Sequence, residues 1–258
     1  MGIGLEGVPD VVRKPVLNTH ISNVAKLAAG HEHSLALTKT QELFVWGTGS
    51  LTGLDVEENV CIPTHLDFFQ KARSERPLTS AANKISSVAC GGLHTCVITQ
   101  DGDLFTWGSA EGGQLGHPLA MSNDDASVTR PTRLEYLCER GLKIQQVSCG
   151  EAHTVVLTTE DQVWGWGMSM YGQLGLGFSG DSFEPGEGME KSKVNTPTEI
   201  TQYMPPEITI SKIICGAAFT MFLTTENELY GCGINDLGQL GLDTYLEEMQ
   251  IAVIDRAR

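Results

Sequence analysis

The sequence predicts an all-β protein, a β-propeller of about four four-stranded blades that is partial or truncated relative to larger propellers. A motif of glycine, two variable residues, usually histidine, and then serine or threonine occurs four times, starting at Gly30, Gly91, Gly150 and Gly216. An alternating apolar run follows each copy. At one fixed distance after each glycine stand Trp46, Trp107, Trp166 and, in the fourth copy, Cys232. A constant internal spacing with a variable step between copies indicates one folding unit repeated, with insertions in its loops.

Three strands form the body of each unit. In the third unit these are residues 144–149, 153–158 and 162–166, which are rich in Val, Ile, Thr and aromatic residues. Such residues suit a pleated, half-buried surface. The Asp101-Gly102 pair of the second unit is a strong signal for the hairpin between the second and third strands, because glycine accepts a positive φ there.

A proline-containing segment precedes each unit, at residues 15–17, 63–66, 131–134 and 197–200. Proline has no N–H to give to a ladder and belongs at the start or the edge of a sheet. We therefore predict an outermost fourth strand there, so that each unit forms one propeller blade. The predicted units run over residues 14–55, 62–117, 130–177 and 196–243.

A Gly-Gln-Leu-Gly loop ends the unit, at residues 113–116, 172–175 and 238–241, with a degraded copy at 51–54. The two glycines indicate positive φ or close backbone approach. We expect the leucine to fill the space between blades. The glutamine amide is expected to hydrogen-bond backbone groups of the loop.

Together these motifs resemble the regulator of chromosome condensation repeat family, over most of residues 14–243. The resemblance implies a β-propeller, normally of seven blades. Four units do not fill such a ring, and both ends of the chain fall near equivalent points of the repeat. We expect a partial propeller or a shortened gene product, with a closed smaller ring as the alternative. An open arc leaves two blade faces bare and so favours self-association.

The repeated histidines His33, His94 and His153 allow two interpretations, with Phe219 at the fourth position. A metal or catalytic ring is one; a hydrogen bond from each imidazole to a backbone group of the neighbouring blade is the other. Rotation about the propeller axis places the three on different blades, too far apart to share an ion. We therefore expect structural histidines, no metal and no cofactor.

Tryptophan raises a further possibility within the family. Plant ultraviolet-B photoreceptors share the repeat and use tryptophan as chromophore around a Gly-Trp-Arg-His-Thr stretch. The corresponding windows, at residues 30–33, 91–94 and 150–153, lack that Trp and Arg. We therefore expect packing roles for the tryptophans and no photoreception.

The composition and charge of the chain limit the classes of partner that it can bind. The chain has 258 residues, 41% apolar and 19% charged, which is an ordinary globular composition. A formal net charge of -15 repels phosphate backbones, so nucleic-acid binding is not expected and a basic protein surface is the natural complement. Seven cysteines without a CxxC pair favour an intracellular, reducing compartment, cytoplasm or nucleus. The N-terminal residues show no signal-peptide pattern, and no apolar stretch is long enough to span a membrane.

Departures from the repeat are the candidate binding loops, at residues 67–83, 117–129 and 177–196. The last two carry acidic side chains that are candidate contacts for a basic protein, with a solvated loop as the alternative; they are Asp124, Asp125, Asp181, Glu184, Glu187 and Glu190. Their spacing does not match a calcium loop.

Three functions follow. The first is a protein-interaction scaffold that binds a protein partner through its blade loops. The second, implied by the family resemblance, is guanine-nucleotide exchange on a Ran-like small GTPase. The third is a partial propeller without activity of its own. The sequence holds no hydrolytic, redox or phosphate-binding motif, so we do not expect covalent catalysis.

Overall fold

A computed structural model describes residues 12–70, 84–117, 127–176, 192–242 and 248–254. These residues form four four-stranded antiparallel sheets, and in every sheet the strands lie side by side in chain order. The predicted all-β class and the four blades are therefore confirmed. The strands of blade 1 are β1 Val24–Ala29, β2 His33–Thr38, β3 Leu43–Gly47 and β4 Val60–His65; of blade 2, β5 Ile85–Cys90, β6 His94–Thr99, β7 Leu104–Ser109 and β8 Ser127–Arg133; of blade 3, β9 Ile144–Cys149, β10 His153–Thr158, β11 Val163–Met168 and β12 Lys193–Glu199; of blade 4, β13 Ile210–Cys215, β14 Phe219–Thr224, β15 Leu229–Gly233 and β16 Glu248–Ile254.

Helical structure among the described residues is short. The single α-helix, α1, is Glu135–Cys138, directly after the fourth strand of blade 2. Three 3-10 turns lie at Gly49–Leu51, Asp67–Phe69 and Thr201–Tyr203. In the part of the chain that the structure describes, no helix has the length and apolar character needed to cross a membrane.

The proline-containing strand belongs to a different sheet from the one predicted. Val60–His65 pairs with the third strand of blade 1, with His65 opposite Phe44, and does not join the strands that follow it. The long loop after β3 folds back and returns the chain along the outer edge, where the missing N–H of proline breaks no ladder. Residues 15–17 form no strand, and blade 4 is completed by β16. The sequence expectation was therefore wrong about which unit owns this strand.

Glycine serves two separate needs in the repeat. In the Gly-Gln-Leu-Gly loops the backbone is left-handed, with φ of +76° at Gly113 and +73° at Gly116. At the start of the repeat the need is space. A Cβ on Gly91 would overlap the His94 imidazole and lie 2.5 Å from the carbonyl oxygen of Gly150 in the next blade.

Each blade has a leading face, turned toward the next blade in the chain, and a trailing face, turned toward the previous one. Between blades 1 and 2, Leu35 and Leu37 of the leading face pack with Val97, Phe105 and Trp107 of the trailing face. Equivalent apolar clusters fill the other two joints. The core of the protein is therefore a series of joints between sheets.

The four blades form an open arc. The inner strands of successive blades pack side by side, β1 on β5, β5 on β9 and β9 on β13. Among the described residues, β13 and β1 make no comparable contact. The chain therefore does not close on itself as a ring of four blades.

Candidate protein-interaction surface

The repeated histidines connect neighbouring blades. His94 Nε2 lies 2.9 Å from the hydroxyl of Thr154, at the start of the second strand of the next blade. The same bond joins His33 to Thr95 at 2.8 Å and His153 to Thr220 at 3.1 Å. The prediction of a backbone partner was wrong, because the threonine side chain stands between the ring and the backbone.

The threonine hydroxyl that bonds to the histidine also bonds to a backbone carbonyl. Thr154 donates its hydroxyl proton to the carbonyl of Gln114 at 2.9 Å, and Thr220 donates to that of Gln173 at 2.7 Å. The threonine oxygen must then accept a proton from the histidine, so these rings carry hydrogen on Nε2. Burial lowers the pKa of His94 to about 3 and that of His153 to about 4. The rings are therefore neutral at physiological pH.

Tryptophan reinforces the same joints. Trp107 and Trp166 are fully buried. Their indole N–H groups donate to backbone carbonyls of the preceding blade's Gly-Gln-Leu-Gly loop, Trp107 to Leu51 at 3.0 Å and Trp166 to Gln114 at 2.8 Å. The carbonyl of Gln114 thus accepts from both Trp166 and Thr154. This loop is a connector between blades, which explains its repetition.

One histidine and two cysteines, side chains that can bind a metal ion, lie close together at the joint of blades 2 and 3. The ligand atoms of His94, Cys96 and Cys149 all lie within 4.8 Å of one another. His94 Nε2 is engaged by Thr154, and the same bond forms at His33, whose neighbour Leu35 stands where Cys96 does. A hydrogen bond with Cys96, together with burial, raises the pKa of the Cys149 thiol well above its usual value. Because His94 makes the same hydrogen bond as His33, which has no cysteine at this position, we assign this cluster to packing.

Loops at one end of the blades form a continuous surface, which we call the upper rim. It consists of the loops after the first strands and those between the third and fourth strands, residues 30–32, 48–59, 91–93, 110–117, 150–152, 169–176, 216–218 and 234–242. Backbone bonds run from blade to blade along it: His31 N–H to the Gly92 carbonyl at 2.8 Å, Gly92 to Glu151 at 3.0 Å and Glu151 to Ala217 at 2.9 Å. These bonds join the loops after the first strands of all four blades.

A depression of about 250 Å³ opens on this rim. Leu93 and Met168 provide apolar surface, and Leu93 is 36% exposed. Glu111, Glu151 and Lys193 also line the depression; both glutamates are exposed and Lys193 is half-buried. An apolar patch bordered by carboxylates suits a protein partner that offers an apolar anchor beside basic side chains.

The six acidic residues predicted to bind a partner, Asp124, Asp125, Asp181, Glu184, Glu187 and Glu190, lie outside the described residues. The chain leaves the described ranges at His117 and Leu176 and returns at Ser127 and Ser192, all next to the upper rim. Both acidic segments are thus attached to the end of the arc that carries the depression. Residues 67–83 attach to the opposite end, and only the turn Asp67–Phe69 and Gln70 are described there.

Sequence reasoning missed the depression. Its signal was present in the loop after the repeat glycine, where Leu93 stands at the position of Glu32, Ala152 and Ala218. An exposed leucine in a polar loop is a contact candidate, but Met168 and Glu111 come from other strands and loops. Only the fold brings them beside Leu93.

The family model for the RCC1-like domain matches residues 2–256. Among curated proteins, the chain is 30% identical over 238 residues to the serine/threonine-protein kinase Nek8 of Danio rerio, covering 92% of this chain and 30% of that protein. It is 29% identical to the ultraviolet-B receptor UVR8 of Arabidopsis thaliana, covering 85% and 43%. It is 33% identical to the human E3 ubiquitin-protein ligase HERC2, covering 86% and 4%. The chain thus spans less than half the length of each of these relatives.

Solved structures give the same fold. Human WBSCR16 superposes with a TM-score of 0.69 at 26% identity, covering 93% of this chain and 55% of that one. Prp20p of Saccharomyces cerevisiae, whose structure was described with its binding properties to Gsp1p and histones, superposes with a TM-score of 0.68 at 20% identity, covering 94% and 52%.

Proposed function

Because the chain belongs to the family of RCC1-like domains, we propose that it is a protein-interaction scaffold that holds a basic protein partner on its upper rim. The observation that carries the proposal is the depression between blades 1, 2 and 3. Leu93 and Met168 supply the apolar area for an anchor residue of the partner, and Glu111 and Glu151 supply charge beside it. The rest of the chain offers no motif for covalent chemistry, so a binding role accounts best for the exposed residues.

Charge supports a basic partner. Exposed carboxylates recur along the upper rim, at Glu32, Glu57, Glu58 and Asp236 as well as at the depression. The whole chain has a formal net charge of -15. Complementary charge raises the rate of association and selects the partner more than it raises affinity. We expect the acidic segments at 118–126 and 177–191 to add to this field, because both attach to the same rim.

The relatives also favour a module that binds. Nek8 and HERC2 are named as a kinase and a ubiquitin ligase, and the matching region is only part of each. A domain joined to such different enzymes is most simply explained if it recruits proteins and does not perform the chemistry. The cytoplasm or nucleus stays the predicted location; one matching relative, RUG3 of Arabidopsis thaliana, is named as mitochondrial.

Charge reversal tests the proposal. The chain and its Glu111→Lys/Glu151→Lys variant are used to capture proteins from cells of the source organism, and captured proteins are quantified by mass spectrometry. The control is Glu160→Lys/Glu226→Lys, the same change in charge on exposed hairpins at the opposite end of blades 3 and 4. Proteins lost with the rim variant and retained with the control support the proposal. One and the same set with all three chains contradicts it.

Guanine-nucleotide exchange on a small GTPase is the second candidate. It is favoured by the family resemblance and by the likeness to Prp20p, which at 20% identity is a likeness of fold. Exchange needs a protein wedge that displaces the nucleotide's metal and phosphate contacts. Release of fluorescent GDP from a panel of small GTPases measures it directly. Acceleration with any GTPase establishes exchange; specific capture without acceleration favours the scaffold alone.

A further inference from the structure

Linkers carry the chain from the outer strand of one blade to the inner strand of the next, at the lower end of the blades, opposite the upper rim. Each linker follows a buried residue, Leu66, Leu134 or Ile200, whose N–H donates to the first residue in the third strand of the same blade. The second and third linkers, over residues 134–144 and 200–210, are equal in length. They can therefore be compared position by position.

The first two linkers each place an aromatic ring against the third strand of the next blade. The ring of Phe68 lies edge-on to that of Phe105, with centroids 5.8 Å apart. The ring of Tyr136 lies edge-on to that of Trp164, at 6.5 Å. The guanidinium of Arg140 covers Tyr136, 3.5 Å from the ring centroid, which is a cation–π contact. In the joint of blades 2 and 3, this place therefore holds an aromatic side chain with a cation beside it.

The third linker has neither of these side chains at the corresponding positions. Gln202 stands where the second linker has Tyr136, and Pro206 stands where it has Arg140. Gln202 is exposed, and its side-chain amide donates to the carbonyl of Glu199 at 3.0 Å. The third linker thus supplies no ring and no cation of its own at this joint.

Two consecutive prolines give the third linker a different backbone path. The residue before a proline is disfavoured in the helical region, and Met204, which precedes Pro205, is extended, with φ -91° and ψ 155°. The 3-10 turn Thr201–Tyr203 therefore ends one position before the end of α1, its equivalent in the second linker. Beyond this turn the linker follows an extended path that α1 does not take.

A cavity of about 480 Å³, which we call the lower cavity, opens between this linker and blade 4. Pro205, Pro206 and Tyr230 line it, and Tyr230 stands at the repeat position of Phe105 and Trp164. Tyr230 is only 5% exposed, and among the described residues no other aromatic ring is paired with it. Ligand sites in proteins commonly measure about 300–1,000 Å³. The lower cavity is therefore large enough for an aromatic side chain that the linker does not provide.

The charged residues around the lower cavity are all acidic. Glu207, Glu226 and Glu228 line it and are exposed, and no lysine or arginine is among the described residues of its lining. Carboxylates on one side of an interface favour a partner that brings positive charge. Since the equivalent place in the preceding joint holds tyrosine and arginine together, both the apolar and the charged part of an occupant are indicated.

We propose that the lower cavity binds a segment of a partner protein in which an aromatic side chain stands beside an arginine or lysine. The aromatic side chain enters between the two prolines and Tyr230, and the cation lies among the three glutamates. The segment thus repeats, from another protein, the contacts that Tyr136 and Arg140 make within this chain. All walls of the cavity come from residues 205–230, at the end of the blades opposite the upper rim, so the two surfaces bind independently.

Labelled peptides test the chemistry of the occupant by fluorescence anisotropy with the purified chain. One set carries a tyrosine with an arginine one to four residues after it, in a glycine and serine background. A second set has alanine for the tyrosine, and a third has glutamate for the arginine. The best tyrosine–arginine peptide should bind about tenfold or more tightly than its two counterparts. Equal binding of all three sets, or no binding by any peptide up to about 1 mM, overturns the proposal.

Two substitutions with matched controls locate the site of binding. Thr225→Trp puts a large side chain at an exposed position in the lining, and Thr159→Trp makes the same change at the same repeat position of blade 3. Glu226→Lys reverses one charge of the lining, and Glu160→Lys is its counterpart in blade 3. Circular dichroism verifies that all four variants fold. The changes in blade 4 should weaken the peptide about tenfold or more and those in blade 3 by less than about twofold; equal effects overturn the proposal.

The same peptide distinguishes the lower cavity from the upper rim. The Glu111→Lys/Glu151→Lys chain should bind it as the wild-type chain does, because the altered residues lie at the other end of the blades. The Glu160→Lys/Glu226→Lys chain should lose the peptide and retain the proteins held at the rim. A peptide lost with the rim variant and retained with Glu226→Lys is bound at the rim, and this result overturns the proposal for the lower cavity alone.

Discussion

Replacement of Thr154 by valine isolates the bond that joins blades 2 and 3. Valine keeps the shape of threonine but removes the hydroxyl that accepts from His94 and donates to Gln114. The carbonyl of Gln114 keeps its bond from Trp166, whereas the Nε2–H of His94 is left buried without an acceptor. A buried unsatisfied donor costs about 1–3 kcal/mol and the lost bond to the carbonyl about 1 kcal/mol. We therefore expect the variant to lose about 2–4 kcal/mol of unfolding free energy.

Urea unfolding at pH 7, followed by circular dichroism, measures this loss in a double-mutant cycle with His94→Phe. Phenylalanine is the residue that the fourth repeat uses, and beside valine it leaves no polar group unpaired. The double variant should thus lose less than the sum of the two single losses, by about 1–2 kcal/mol. Thr132→Val, at an exposed threonine, is the matched control, with an expected change within about 0.5 kcal/mol. A loss below about 0.5 kcal/mol for Thr154→Val, or strict additivity with His94→Phe, would refute the assigned role.

Three further predictions follow from the same joints. Gly91→Ala should lower the free energy of unfolding in urea by about 3 kcal/mol or more, since its Cβ would lie 2.5 Å from a backbone oxygen. The control Gly141→Ala, with φ +71° and nothing within 4 Å of its Cβ, should lower it by only about 1–2 kcal/mol. Equal losses for the two variants would contradict the close approach at Gly91. Burial holds the folded pKa of the three repeat histidines at about 3 to 4, whereas in the unfolded chain they titrate near 6.5. The free energy of unfolding should therefore be highest above pH 6.5 and fall as the pH drops toward 4, by up to about 1.4 kcal/mol per pH unit for each histidine. Urea midpoints between pH 4 and 8 measure this fall, and a flat profile over that range would show that the rings are not buried in the neutral form. Among the seven cysteines only Cys61 is exposed, so a thiol reagent should modify one cysteine rapidly in the native protein and none rapidly after Cys61→Ser. Fast reaction at Cys96 or Cys232, which are buried in the joints, read by mass spectrometry, would show that the joints open.

The repeat pattern predicted the sheets because the pattern records packing within one unit. Along β10, Val155 and Val156 alternate between the apolar clusters on the two sides of the blade, and Val97 and Ile98 of β6 do the same. The left-handed glycines of the Gly-Gln-Leu-Gly loops were equally predictable, since few other residues tolerate that backbone. Features that depend on contacts within one unit, such as the strands and the glycine loops, were therefore predictable from the sequence of that unit.

What failed depended on contacts between units. The strand around Pro63 lies next to the following repeat in sequence, but the ladder that it completes is set by the loop after β3. The partner of His94 is a threonine 60 residues away in the next blade. Leu93 and Met168 reach one depression only because the blades are rotated about a common axis. The residue pattern within one unit does not show which residues of different units come into contact.

The measurement closest to the central claim is the affinity of the main captured partner, purified, for three forms of this chain by isothermal titration calorimetry. The account predicts that Glu111→Lys/Glu151→Lys weakens binding by about tenfold or more, and that Glu160→Lys/Glu226→Lys leaves it within about twofold. Equal affinity for the wild-type chain and the rim variant, or a loss confined to the lower-end variant, would contradict a partner held at Leu93 and its surrounding carboxylates.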